Sequence, residues 1–352
     1  MRDDPHGPTP VRLTDPRIVV LLAALVLTAI GLMMGWKVLD GRTPHSGGAL
    51  LLLEDREAEL PDDIPDLPAE LTYDDRADMV PSMVQLPPAE ADELIALFDL
   101  LGFAWPPDVV VPAIAVQQLP AGLDDMEVEQ RKALFFRSLL PLILAENLLM
   151  LETRYRLQEI LSRGALEQDS SEYRALATLG ERFRVSGEPN DAAFRALLLK
   201  RIDAVPADMA LAQAANESGW GTSRFTREGN NLFGVWTWEA DQGLIPEDRP
   251  EDADHRVRIF PDLRASVRNF VYTINVGNAY RDLRELRREM RENGDRLTGV
   301  ALAAELTAYS ERGEAYVAEI QNMIMHNGLD QLPELELIPV DAEAILDAVD
   351  AH

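Results

Sequence analysis

The chain has 352 residues, no cysteine, and a formal net charge of −28 from 61 acidic and 33 basic residues. A disulfide framework, a thiol nucleophile and a cysteine–zinc centre are therefore excluded, and nucleic acid is a poor partner, because binding its phosphates needs clustered cations. The length suits about two domains, or one domain with extensions.

The first marked segment is residues 18–36, from Ile18 to Trp36. It reads IVVLLAALVLTAIGLMMGW and is free of charge. It is as long as a membrane-spanning helix requires, and no Ala-x-Ala site follows it, so it reads as an uncleaved anchor. Arg2, Arg12 and Arg17 precede it, against Lys37 and Arg42 after it. That bias points residues 1–17 into the cytoplasm and the body of the chain outward. The expected arrangement is a single-pass membrane protein whose body lies outside the cytoplasm.

Residues 37–104 read as an acidic, proline-rich tether. Its 54–78 stretch carries eleven Asp and Glu with Pro61, Pro65 and Pro68 inside, a composition that buries little apolar surface. A short helix is expected at 92–101 and an extended run at 106–114. Residues 127–163 are long and apolar-rich, one or two helices interrupted near Pro141, with Phe135, Phe136, Leu139, Leu142 and Leu149 as core. Helices follow at 171–185 and 192–203, the second capped by Asn190 or Asp191. Another begins near Ala207. Residues 254–260 alternate as a strand does and pair with the Trp236 region as a small β-hairpin. Helices at 263–279, 283–292, 301–306 and 314–327 complete a mainly α body, and 333–352 is an acidic tail without Lys or Arg.

Chemistry concentrates in residues 210–238, ALAQAANESGWGTSRFTREGNNLFGVWTW. Ala210, Leu211, Ala214 and Ala215 describe a tightly packed helix that ends at Gly219 and Gly221. Glu217 sits at its last turn, where the helix dipole prefers a cation, so an acid is unfavourable there unless it has a use. Burial disfavours the charged carboxylate, which keeps such a glutamate protonated and able to donate a proton. Trp220, Trp236 and Trp238 follow, and indole faces suit the apolar faces of sugar rings. The bland alternative is a solvated glutamate at a helix end.

The segment resembles the signature of the glucosaminidase family of peptidoglycan hydrolases (mannosyl-glycoprotein endo-β-N-acetylglucosaminidase-like), and in particular its bacterial Bax-type subgroup. The carrying runs are Asn-Glu-Ser-Gly-Trp-Gly and Asn-Asn-Leu-Phe-Gly, supported upstream at 119–147 and downstream at 266–287 and 308–320. The resemblance covers about 105–332. It implies an α+β lysozyme-like fold and hydrolysis of the β-1,4 bond after N-acetylglucosamine, with Glu217 as general acid. It also implies a cleft tyrosine at Tyr309, and peptidoglycan glycan strands as partner. Asn231, Phe233, Trp236 and Trp238, with Trp220, are the expected sugar-binding residues, although Trp220 equally suits a core plug and Tyr280 reads as structural. A muramidase or lytic transglycosylase on the same fold is the enzymatic alternative, and a non-catalytic wall-binding scaffold the other.

A second carboxylate is harder to find. Relatives lead one to expect an acid directly after His255, where this chain has Arg256. The loop before it offers Glu239, Asp241, Glu247, Asp248, Glu251, Asp252 and Asp254, of which Glu239, Glu247 and Asp254 are the nominees. Either such an acid moves in, or the acetamido group of the substrate participates. The histidines at 6, 45, 255, 326 and 352 lack His-Glu-x-x-His spacing, so no metal and no cofactor is expected. Arg281, Arg284, Arg288 and Arg291 form a basic helix face, which either meets anionic wall peptides or is merely solvated, with Arg281 and Glu285 as an i,i+4 pair.

Overall fold

A computed structural model describes residues 80–247, 254–310, 312–343 and 345. The candidate anchor at 18–36, the acidic stretch at 54–78, and the loop acids Asp248, Glu251 and Asp252 lie outside the described residues.

The body is built around one helix, α2 (Val128–Ser162), because its sequence is apolar on nearly every face. Phe135, Phe136, Leu139, Leu140, Leu142 and Ile143 are essentially without exposure. It is the one helix among the described residues that is long and apolar enough to cross a membrane, and 78% of its apolar window is buried by protein, as a core helix requires. Polar groups carried into the core are paired. Asn147 donates to the Val205 carbonyl at 2.7 Å and accepts from its amide at 2.9 Å. Glu146 is held by Arg264 at 2.7 Å and Arg268 at 3.1 Å.

The interruption expected near Pro141 is absent: α2 runs through it unbroken. An interior proline costs about 3 kcal/mol. Each large apolar side chain buried beside it returns roughly 1.5–3 kcal/mol, so packing prevails over local propensity.

Three layers surround α2. On one side, β1 (Val84–Leu86) pairs in parallel with β3 (Ile114–Val116), and α1 (Ala91–Leu100) packs beside them. Composition groups residues 80–104 with the tether; in the structure they supply β1 and α1 to the body. Likewise β7 (Glu336–Ile338), inside the acidic tail, pairs in parallel with β2 (Val110–Pro112). On a second side lie α3 (Ser171–Arg182), α4 (Ala192–Arg201) and α8 (Arg281–Asn293). Asp191 is the N-cap of α4 but makes no side-chain capping bond. Asn190 instead ties down Leu166, with 2.8 Å bonds to both its amide and its carbonyl.

The third side carries α5 (Ala207–Ser218), α7 (Leu263–Val276), α9 (Gly299–Ala303) and α10 (Glu314–His326). Helix α5 is wedged among α2, α9 and α10, which explains its alanines: Ala210, Ala212, Ala214 and Ala215 admit close helix approach and are buried. The expected hairpin is present with an extra strand. β4 (Trp236–Thr237), β6 (Arg256–Arg258) and β5 (Gly243–Leu244) form an antiparallel sheet in that order, with Trp236 opposite Val257. The fold is mainly α, as expected.

Candidate active site

Helix α5 aims its C-terminus at the site. Its last turn closes at Gly219, whose φ of 58° favours a residue without a Cβ, and Trp220 and Gly221 continue in the same left-handed region. Ser218 steadies the reversal, donating to the Ala214 carbonyl at 2.6 Å and accepting from the Gly221 amide at 2.9 Å. Glu217 is thus fixed one residue before the chain turns away.

Its carboxyl group is asymmetric in its partners. Oε1 accepts from the Tyr316 hydroxyl at 2.9 Å and from the Asn216 amide at 3.4 Å. Gln213, one turn back on α5, donates to the Tyr316 oxygen at 3.1 Å, which leaves the phenol proton directed at Glu217. Oε2 faces Gly234, where a Cβ would come within 4.0 Å of it; the φ of 67° there suits glycine. Burial pushes the Glu217 carboxyl above the ordinary glutamate range; the bonds from Tyr316 and Asn216 and the charge of Arg312 pull it back, and Glu319 raises it again. The Tyr316 phenol is held neutral, pushed well up by burial first and then by Tyr309 and Glu217. Glu217 as a whole remains partly accessible. Such a group can give a proton to a leaving oxygen that approaches from the Gly234 side.

Tyr309 stands behind this pair, its ring 4.9 Å from that of Tyr316 and 5.9 Å from that of Tyr280. All three rings are buried, so Tyr309 supports the tyrosine at the acid. Asn231 and Phe233 are also buried. Asn231 donates to the carbonyls of Val235 and Arg258 at 2.8 Å each and accepts from the Val235 amide at 2.9 Å, which clamps the loop onto β6. Phe233 stacks on Phe270 at 4.0 Å. These two hold the loop that carries Gly234 against β6 and α7.

The three tryptophans keep accessible surface. Trp236 and Trp238 flank buried Thr237 and share a face, with Trp236 lying over His255 at 4.0 Å. Trp220 packs edge-on against Phe135 and Phe136, at 5.9 and 5.2 Å, so it acts as a core plug that keeps one accessible side. Glu239, Glu247 and Asp254 are all exposed, and Glu247 leans on Arg224 at 3.7 Å.

Sequence reading missed Tyr316, Gln213 and Asn216. Gln213 precedes Glu217 by four residues and so shares its helix face, a signal that was available. Tyr316 follows Tyr309 by seven, but a turn lies between them and no simple periodicity links the two. Among the described residues no cluster of His, Asp and Glu is arranged to hold a metal ion.

Comparison with known proteins bears on the same region. Residues 195–329 match the glucosaminidase family, described as mannosyl-glycoprotein endo-beta-N-acetylglucosaminidase. Over 192 residues the chain is 31% identical to "Protein bax" of Escherichia coli (strain K12); the alignment takes in 53% of this chain and 66% of that protein, just short of two thirds of its length. No solved structure matches the chain. Helix α5, the Glu217 turn, the small sheet and α10 all fall within the matched residues, so this part of the chain is similar to the glucosaminidase family and to Protein bax.

Proposed function

We propose that the protein is a peptidoglycan hydrolase that cleaves the β-1,4 bond between N-acetylglucosamine and N-acetylmuramic acid. Glu217 acts as general acid. The observation that supports this is a carboxyl group made more basic by burial, bonded on one oxygen only to neutral donors and open on the other toward Gly234. Sugar rings would stack on the accessible faces of Trp236 and Trp238, with Trp220 at the edge. The anchor at 18–36 would hold this domain on the periplasmic side of the inner membrane.

The second catalytic group follows from what surrounds the first. Glu239, Glu247 and Asp254 are solvent-exposed, an environment unlike that of a positioned base or nucleophile. The reading we adopt is participation by the acetamido group of the substrate, an alternative to the usual carboxylate pair.

Mass spectrometry of peptidoglycan digested with the full chain tests both points, wild type beside Glu217→Gln. Fragments with reducing N-acetylglucosamine ends should come from wild type, with the rate of the variant lower by about 10²–10⁴. Muramic acid ends or 1,6-anhydro products would mean a muramidase or transglycosylase, and binding without fragments a scaffold. Glu239→Gln, Glu247→Gln and Asp254→Asn should each stay near wild type, and a comparable collapse in any one would identify it as the second acid.

A further inference from the structure

A pocket of about 810 Å³ opens between α2, α4 and α8. It lies beyond the opposite end of α5 from Glu217, and that helix alone spans about 18 Å. Its floor is a cluster of like charges. Arg154, Arg287 and Arg291 all converge on one carboxylate, Asp203, at 3.7, 3.9 and 2.8 Å. Asp203 and Arg287 are almost completely buried.

Three guanidiniums against one carboxylate leave two positive charges uncompensated. The C-terminal carbonyls of α4 offset part of this: Arg154 donates to Leu199 and Ile202, and Arg287 to Lys200. A helix end carries about half a negative charge, so more than one positive charge remains in a poorly hydrated site. At the rim, Lys200 and Arg288 add two cations that Glu285 and Glu292 balance, at 2.6 Å for Lys200 and Glu285. Burial lowers the pKa of Arg154, and takes that of Arg287 down to about 10, which still leaves Arg287 charged at neutral pH. For Asp203 the burial that would raise it is outweighed by Arg287, Arg291 and Arg154. Such a concentration of cations is unexpected in a chain with a net charge of −28, whose overall field repels anions.

We propose that this pocket is a second ligand site, which takes a compact, doubly charged oxyanion: a phosphate, free or as the monoester of a larger molecule. A phosphate dianion matches the uncompensated charge, and Arg154, Arg291 and Lys200 reach it from three sides. Leu151 and Leu199 line the wall and would receive the organic part of an ester.

The test is isothermal titration of the full chain in non-ionic detergent at low salt, with inorganic phosphate and with glycerol phosphate. Saturable binding is expected. Tighter binding of the ester would mean that the ligand is esterified; equal binding would mean that the free ion is enough. Lys200→Gln should weaken binding about tenfold, the worth of one charge-assisted hydrogen bond. Glu292→Gln, which removes a rim carboxylate, should tighten it severalfold, a change that misfolding cannot imitate. No saturable binding of either anion, or affinities unmoved by both substitutions, would overturn the proposal. Neither readout involves glycan cleavage, so this site stands or falls apart from the glycosidase reading.

Discussion

In the role proposed for Glu217, function and stability pull in opposite directions. A carboxyl whose folded-state pKa is raised binds its proton more tightly in the folded protein than in the unfolded chain. The stability from that proton is complete below the unfolded value and is lost as pH rises through the folded one. Above that point a charged carboxylate is held in a poorly hydrated place. Glu217→Gln should therefore melt at a higher temperature than wild type at alkaline pH, with the gap closing as the solution is acidified; a variant less stable at every pH would contradict the assignment. Tyr316 works on the same equilibrium from the other side. Its hydroxyl stabilises the ionised form, so Tyr316→Phe should raise the Glu217 pKa further and move the alkaline limb of the kcat/KM profile to higher pH. Gln213 loses its acceptor in the same variant, so activity should also fall. An unmoved limb would mean that the 2.9 Å bond has no part in setting the acid.

Among the elements, the sequence was legible wherever one segment carried its own reason to form. Helix α5 announced itself by alanines before a Gly-x-Gly turn, and β6 by alternation. Where structure depends on a distant partner, sequence was silent. Pro141 marks a break only if its helix stands alone, and α2 does not. Arg281, Arg284, Arg288 and Arg291 look like a solvated basic face, yet only Arg288, ion-paired with Glu285 and Glu292, and Arg281 stay at the surface. Arg281 pairs with Asp282 at 3.7 Å rather than with Glu285. Arg284 turns inward to the carbonyls of Ile274 and Gly277, and Arg291 to Asp203. The short helix α6 (Arg224–Gly229), capped by Ser223, escaped notice because six residues hold too little periodicity. β7 is the clearest case, since nothing in an acidic tail points to β2. Yet the Ala113 amide donates to the Ile338 carbonyl at 2.8 Å, the Glu336 amide to that of Val109 at 2.9 Å, and Leu337 enters the core. Leu337→Asp should therefore destabilise the protein by about 2–5 kcal/mol, through lost apolar burial and a desolvated charge. Urea denaturation measures this, and an unchanged midpoint would mean that the tail lies off the body.

For the molecule as a whole, the governing quantity is the excess of acid over base, 61 residues against 33. The arginines that could soften it at the surface are partly spent inside, around Asp203 and Glu146. The exterior is left more acidic than the composition alone suggests. Two charged bodies of the same sign repel over about 10 Å at 0.1 M salt, and less as salt rises. On the proposed function, a glycan strand whose stem peptides carry carboxylates would meet that repulsion on its way to the site. In that function, recognition would rest on stacking at Trp236 and Trp238 and on hydrogen bonds near Glu217, none of which salt screens strongly. KM for peptidoglycan should consequently fall as ionic strength is raised from low to moderate values, with kcat little changed, because the repulsion acts on approach rather than on proton transfer. Turnover assays on soluble glycan fragments across a salt series read this directly. A KM that climbs with salt would mean that cations hold the substrate, and would shift attention from the tryptophans to the basic residues bordering the cleft.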